Sequence, residues 1–90
     1  MPTIVVYSTG YCALCDRAKA LLERKAIEFT EIMVDQDPVQ RAEMERRSGR
    51  RTVPQIFIGA THVGGFDEIR RLDSEGKLDA LLAEEQPTGR

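Results

Sequence analysis

The sequence contains few of the residues that mark several common protein classes. It has two cysteines and one histidine in 90 residues, and its formal charge is only −2. Two cysteines are too few for a small secreted scaffold held by disulfides, and two cysteines with one histidine fall short of the four ligands of a structural zinc site. A near-neutral chain with a single short basic run also lacks the basic surface typical of nucleic-acid-binding proteins.

No hydrophobic run in the sequence is long enough to cross a bilayer. The uncharged N-terminal stretch, residues 1–15, contains a Ser-Thr-Gly break and lacks the basic start of a signal peptide. The content of 41% hydrophobic and 31% charged residues is that of a globular protein with one core. We therefore expect a monomer with one domain over residues 1–84, a flexible tail over residues 85–90, no membrane association and a cytoplasmic location.

Apolar periodicity predicts a strand, a helix and a second strand in the first third of the chain. Residues 3–7 and 28–34 are rich in β-branched residues, which favours strands, and the apolar spacing between them predicts a helix over residues 13–26. A right-handed crossover of this kind makes the two strands parallel neighbours in one sheet.

The remaining residues predict a helix, a β-hairpin and two further helices. Asp37 and Pro38 are typical of a helix start, and this helix is expected to end near Arg47. The later elements are a hairpin of residues 55–59 and 60–63, a short helix over 68–72 capped by Asp67, and a last helix over 77–83. The order predicts an α/β fold with a four-stranded mixed sheet flanked by helices.

Cys12 and Cys15 are the candidate catalytic residues. They lie where the first strand leads into the first helix, and the free N–H groups at a helix start favour a thiolate. Residues three apart on a helical turn share a face, so Cys15 can attack a mixed disulfide formed on Cys12. A disulfide between such near neighbours would add little stability, which favours a chemical role over a structural one. A C-x-x-C motif between strand and helix is typical of thioredoxin-like proteins.

Three segments together resemble the glutaredoxin family. They are Tyr7-Ser-Thr-Gly-Tyr-Cys-Ala-Leu-Cys15, Ser48-Gly-Arg-Arg-Thr-Val-Pro-Gln-Ile-Phe-Ile-Gly59 and His62-Val-Gly-Gly-Phe-Asp67. The similarity runs from Val5 to about Leu82 and is strongest to the short bacterial dithiol type. It implies a thioredoxin-like fold and a cis peptide bond before Pro54.

The resemblance also implies a glutathione site. The Val53 backbone would pair with the cysteinyl part of glutathione, Asp67 would hold its ammonium group, and Arg41 its glycyl carboxylate. The full set of implied glutathione-binding residues is Arg41, Thr52, Val53, Pro54, Gly65, Asp67 and Glu68.

Charge patterning agrees with a small anionic ligand. Residues 41–51 contain five arginines and two glutamates, a local charge of +3. For Arg46 and Arg50, ordinary charge pairing along a solvated helix is an equally good interpretation. His62 alternates with apolar residues in a short edge strand, and we expect its side chain to face solvent.

The resemblance implies a glutathione-dependent thiol–disulfide oxidoreductase that contributes to cell redox homeostasis. Its co-substrate would be glutathione, its substrates glutathionylated or disulfide-containing proteins, and no metal is expected. Ala13 and Leu14 stand where the family usually has Pro and Tyr, and Thr9 stands where many members have lysine. Two alternatives stay open: a carrier of an iron–sulfur cluster ligated with glutathione, and a thioredoxin-like electron donor reduced by a flavoprotein.

Overall fold

The computed structural model describes residues 3–84, which form four strands and four helices. In chain order these are β1 (Ile4–Ser8), α1 (Ala13–Arg24), β2 (Thr30–Met33), α2 (Pro38–Ser48), β3 (Gln55–Ile58), β4 (Thr61–Gly64), α3 (Phe66–Ser74) and α4 (Lys77–Glu84). The predicted tail over residues 85–90 lies outside the described residues.

The strands form one mixed sheet in the order β2-β1-β3-β4. β1 pairs parallel with β2, while β3 pairs antiparallel with both β1 and β4. The predicted parallel pair, hairpin and four-stranded mixed sheet are therefore confirmed.

The structure corrects several predicted boundaries. β2 begins at Thr30 rather than at residue 28, because pairing with β1 starts at Val5 opposite Thr30. The cap of α3 is Gly65 and not Asp67, so α3 begins at Phe66 and extends to Ser74. The physical reason is that the Glu68 carboxylate reaches back to the Gly65 N–H at 2.6 Å, which satisfies a free donor at the helix start.

Apolar side chains cover both faces of the sheet. One cluster joins Ile4 and Val6 of β1 to the buried residues of α1, α3 and α4. The second cluster contains Tyr7 of β1, Phe57 of β3 and Met44 of α2. Because successive side chains of a strand point to opposite faces, β1 supplies both clusters and lies in the centre of the molecule.

This burial fixes the start of α1 at the end of β1. Ser8, the last residue of β1, is fully buried, and its hydroxyl donates to Glu31 Oε2 of β2. Ala18, Leu21 and Leu22 hold α1 against the first cluster. The short connection between the two elements, residues 9–12, is thereby held at the C-terminal end of the central strand β1. Within residues 3–84, no helix is both long and apolar enough to span a membrane.

Candidate active site

Cys12 caps the N-terminus of α1. Its backbone is extended, with φ −138° and ψ 104°, and its Sγ accepts a hydrogen bond from the Cys15 N–H at 3.0 Å. The Cys12 carbonyl oxygen accepts the first helical bond, from the Asp16 N–H at 3.1 Å. A half-exposed sulfur that already accepts a helix N–H is placed to carry negative charge and to meet a disulfide from solvent.

Cys15 has a different environment although it lies only one helical turn away. It is fully buried, and burial raises the pKa of its thiol to about 12, with the Cys12 side-chain hydrogen bond as the next cause. Both cysteines are free. The pair thus consists of one accessible sulfur and one sheltered thiol that stays protonated at neutral pH.

The turn before β3 faces the Cys12 sulfur. The Val53–Pro54 peptide bond is cis, which agrees with the family resemblance, and the Cys12 thiol lies 3.8 Å from the Val53 carbonyl oxygen, to which its S–H donates. Val53 lies two residues before Gln55, the first residue of β3, and is therefore outside the strand.

Gln55 holds this turn, a role that was not predicted from the sequence. The side chain is almost completely buried, and its amide nitrogen donates to the Thr52 carbonyl oxygen at 2.9 Å and to the Thr52 hydroxyl at 3.2 Å. A glutamine inside a strand with apolar neighbours was the available signal, since a buried amide needs partners.

The prediction that His62 faces solvent is wrong. Its ring is half-buried and stacks on Phe57 with the ring centroids 4.9 Å apart, and its Nε2 lies 2.7 Å from Gln55 Oε1. Burial and the nearby Arg50 guanidinium lower the pKa of His62.

The start of α3 lies against the same turn. A Cβ atom at Gly65 would lie 3.4 Å from the Pro54 carbonyl oxygen, which is an ordinary contact distance, so the start of α3 is a direct neighbour of the turn. The hydrogen bond from the Gly65 N–H holds the pKa of the Glu68 carboxyl below its usual range. The Asp67 side chain is exposed and has no hydrogen bond or ion pair with any residue between 3 and 84.

Arg41 lies beside the segment that leads into the turn. Its Nη2 donates to the Arg51 carbonyl oxygen at 3.0 Å, and its Nε lies 3.3 Å from Glu45 Oε2. Seven implied ligand residues are therefore arranged around one turn: Val53 and Thr52 within it, Pro54 and Gly65 in close approach, Asp67 and Glu68 on the adjoining helix, and Arg41 at its entry.

Several arginines of the basic segment, residues 41–51, already have partners within the protein. Arg46 pairs with Glu43 at 2.6 Å, which confirms the interpretation as ordinary helix pairing, here at a spacing of three residues. Arg50 lies 3.7 Å from Glu68. Arg47 points into the molecule, where it donates to the Tyr7 hydroxyl at 3.0 Å and lies 4.0 Å above the Phe57 ring. Only part of the local +3 is thus available to a ligand.

Two apolar side chains next to the thiol are exposed. Tyr11 is 99% exposed and Leu14 is 46% exposed. They flank Cys12 in sequence, so a protein chain that brings a disulfide to this sulfur meets apolar surface. Over residues 3–84, no cluster of three or more His, Cys, Asp or Glu side chains is arranged to hold a metal ion.

Known proteins resemble this chain over most of its length. A family model described as Glutaredoxin matches residues 4–63. A glutaredoxin of Pseudomonas aeruginosa is 54% identical over 83 residues, which are 92% of this chain and 99% of that protein. Glutaredoxin 3 of Escherichia coli is 49% identical over 82 residues, which are 91% of this chain and 99% of that protein.

A solved structure extends the similarity to three dimensions. The buckwheat glutaredoxin–glutathione complex is 35% identical, superposes with a TM-score of 0.83, and corresponds to 92% of this chain and 78% of that chain. The mixed sheet and its flanking helices therefore form a thioredoxin-like fold. Family model, relatives and solved structure agree that the chain belongs to the glutaredoxin family, whose members are generally thiol–disulfide oxidoreductases.

Proposed function

We propose that the protein is a glutathione-dependent thiol–disulfide oxidoreductase that reduces glutathione–protein mixed disulfides and protein disulfides. The observation that carries the proposal is the Cys12 sulfur, which accepts the Cys15 N–H at the start of α1 and lies 3.8 Å from the Val53 carbonyl oxygen. A nucleophile at a helix start beside an open stretch of backbone suits a peptide-like disulfide substrate.

With a glutathionylated protein, Cys12 acts alone. Its thiolate attacks the glutathionyl sulfur, a disulfide forms between Cys12 and glutathione, and the protein leaves as a thiolate that takes up a proton. A second glutathione thiolate then attacks the glutathione sulfur of that disulfide, which releases oxidised glutathione and restores the Cys12 thiolate. In sum, one glutathione thiol and the mixed disulfide become a protein thiol and oxidised glutathione, so the glutathionyl group of the substrate leaves in the oxidised product.

Glutathione is held along the turn in this proposal. The Val53 backbone pairs with its cysteinyl part, the exposed Asp67 carboxylate receives its ammonium group, and the α3 N–H groups face its γ-glutamyl carboxylate. Arg41, already fixed to the Arg51 carbonyl oxygen, meets the glycyl carboxylate. The buckwheat relative, whose structure is a glutathione complex, supports this choice of ligand.

A protein disulfide requires Cys15 as well. Attack by Cys12 links it to the client protein, and Cys15 then attacks the Cys12 sulfur, which releases the second client thiol and leaves a Cys12–Cys15 disulfide for glutathione to reduce. The Cys12 side chain is one cause of the raised Cys15 pKa, through a hydrogen bond and through charge. A neutral mixed disulfide at Cys12 removes the contribution from charge, so the Cys15 proton becomes easier to remove.

Turnover of a glutathionylated peptide by the wild type and two serine variants tests the proposal. Cys12→Ser should abolish turnover, whereas Cys15→Ser should retain it and lose only the reduction of a protein disulfide. Equal loss in both variants would overturn this division of roles. Glutathione should support turnover and a thioredoxin reductase should not; the opposite result would favour a thioredoxin-like electron donor.

The proposal extends to the molecular setting. Residues 1–84 act as one monomeric domain, and glutathione keeps the pair reduced in the cytoplasm, where thiols persist. An iron–sulfur carrier would instead give coloured dimers after anaerobic reconstitution with iron, sulfide and glutathione. Colourless monomers after that treatment would exclude the iron–sulfur carrier.

A further inference from the structure

A chain of side-chain hydrogen bonds runs from β4 to the turn that faces Cys12. His62 Nε2 lies 2.7 Å from Gln55 Oε1, and Gln55 Nε2 donates to the carbonyl oxygen and the hydroxyl of Thr52. Thr52 directly precedes Val53, whose carbonyl oxygen contacts the Cys12 thiol. The single histidine of the sequence is therefore three contacts away from the reactive sulfur.

The chemistry of these groups sets the direction of each hydrogen bond. The Thr52 carbonyl oxygen can only accept, so the amide nitrogen of Gln55 must face it. The Gln55 oxygen then faces His62 and also can only accept, so His62 Nε2 must carry a proton. An amide with both ends occupied cannot rotate by a half-turn without placing its oxygen against the Thr52 oxygen.

Burial strengthens this arrangement. Gln55 has only 1% of its surface exposed, so loss of its partner would leave a polar atom without water. The His62 ring packs against the ring of Phe57 of β3. The charged groups around it are Arg47 of α2, Arg50 of the following loop and Glu68 of α3. Burial and the two guanidinium groups lower the pKa of the imidazole, and the Glu68 carboxylate opposes this shift only in part.

We propose that His62 is a positioning residue: through Gln55 it holds the Thr52-Val53-Pro54 turn in the shape that receives glutathione beside Cys12. The inference rests on the proposed glutathione-dependent function and deepens it. It assigns a role to a residue that contacts neither the reactive sulfur nor Val53.

Two variants separate the hydrogen bond from the packing of the ring. His62→Phe keeps an aromatic ring on Phe57 and removes the donor, whereas His62→Gln supplies an amide N–H near the position of Nε2. We expect His62→Phe to raise the KM for a glutathionylated peptide about five- to tenfold with little change in kcat, the size expected when a buried acceptor loses its donor. His62→Gln should recover most of that loss.

A double replacement provides the matched control. Gln55→Met removes the middle of the chain, so adding His62→Phe to it should raise KM no further. Thermal unfolding of all variants reports stability separately from KM. Additive increases in KM, or an unchanged KM in His62→Phe, would overturn the proposal, as would a His62→Gln variant no better than His62→Phe.

A spectroscopic readout distinguishes failure of this inference from failure of the proposed function. In wild-type protein the Gln55 side-chain amide protons should give separate, slowly exchanging NMR signals, and His62→Phe should shift them together with the Val53 backbone amide. If wild-type protein did not turn over glutathionylated peptide, the proposed function would fail, and these shifts would still report whether His62 shapes the turn. Unmoved Gln55 and Val53 signals would refute the positioning role in either case.

Discussion

Replacing Cys12 by serine leaves Cys15 as the only thiol of the protein, and we expect that thiol to be nearly inert toward disulfide reagents in the native state. The Cys15 side chain has no exposed surface, and burial raises its pKa from 9.0 to about 12. Cys15→Ser, in which the half-exposed Cys12 remains, is the matched comparison.

The expected difference in reaction rate between the Cys15 thiol and an ordinary thiol comes first from ionisation. A three-unit rise in pKa reduces the thiolate fraction at neutral pH about a thousandfold relative to an ordinary thiol. The more basic thiolate is intrinsically about twentyfold more nucleophilic toward disulfides, so ionisation alone leaves a deficit of about fiftyfold. Cys12→Ser removes the causes of the shift that involve Cys12, but burial, the largest cause, remains and also blocks access.

The assay is the absorbance change of a chromogenic aromatic disulfide mixed with each reduced variant. Cys12→Ser should react at least about tenfold more slowly than Cys15→Ser in native buffer. In guanidinium chloride the two variants should react alike, which shows that the cysteine is intact. Rates within a factor of two of each other in native buffer would refute the conclusion that Cys15 is sheltered, and with it the separation of nucleophile from resolving thiol.

Three further predictions concern stability. Arg47→Leu should lower the free energy of unfolding in urea by about 1–3 kcal/mol, because it removes the hydrogen bond to the Tyr7 hydroxyl and the cation above the Phe57 ring. The control Arg46→Leu, at a side chain 71% exposed, should change that free energy by less than about 1 kcal/mol. Equal effects of the two substitutions would contradict the inward role of Arg47. Met44→Ala, at a fully buried site, should cost about 2–5 kcal/mol in the same assay, and a cost near zero would show that the second cluster is loosely packed. Because the pKa of His62 is lowered in the folded state, the unfolded chain binds the proton more readily, so the contribution of His62 to stability is fully present above pH 6.5 and falls as the pH drops through the folded pKa. Between about pH 7 and pH 5, His62→Gln should therefore lose less stability than the wild type. Parallel curves of unfolding free energy against pH for the two proteins would contradict the shift.

Elements with strong local signals were predictable from sequence. α2 begins after Asp37, whose carboxylate accepts the Val39 and Gln40 N–H groups, and it ends at Gly49 with φ 71°, as its sequence indicates. α3 was harder, because both Gly65 and Asp67 are acceptable caps. The hydrogen bond from the Gly65 N–H to the Glu68 carboxylate decided between them, and the sequence alone does not show in which direction that side chain turns.

The candidate site divides in the same way. A thiol pair at a helix start can be read from C-x-x-C after a strand, since spacing alone places both residues on one turn. The partners of the arginines could not be read, because Arg47 meets Tyr7 forty residues away and its inward path depends on how α2 packs on β1. Charge counted along the chain therefore overstated the free positive charge near the site.

The sequence by itself determined the chemistry and its place: two cysteines three apart, set after a buried strand where helix N–H groups meet a sulfur. The tertiary structure alone decided how different those cysteines are. Both are the same residue type on one helical turn, yet only packing against the sheet buries Cys15 and raises its pKa while Cys12 stays accessible beside Val53. The physical reason is that helix spacing is a local property, whereas desolvation of a thiol depends on every element packed around it.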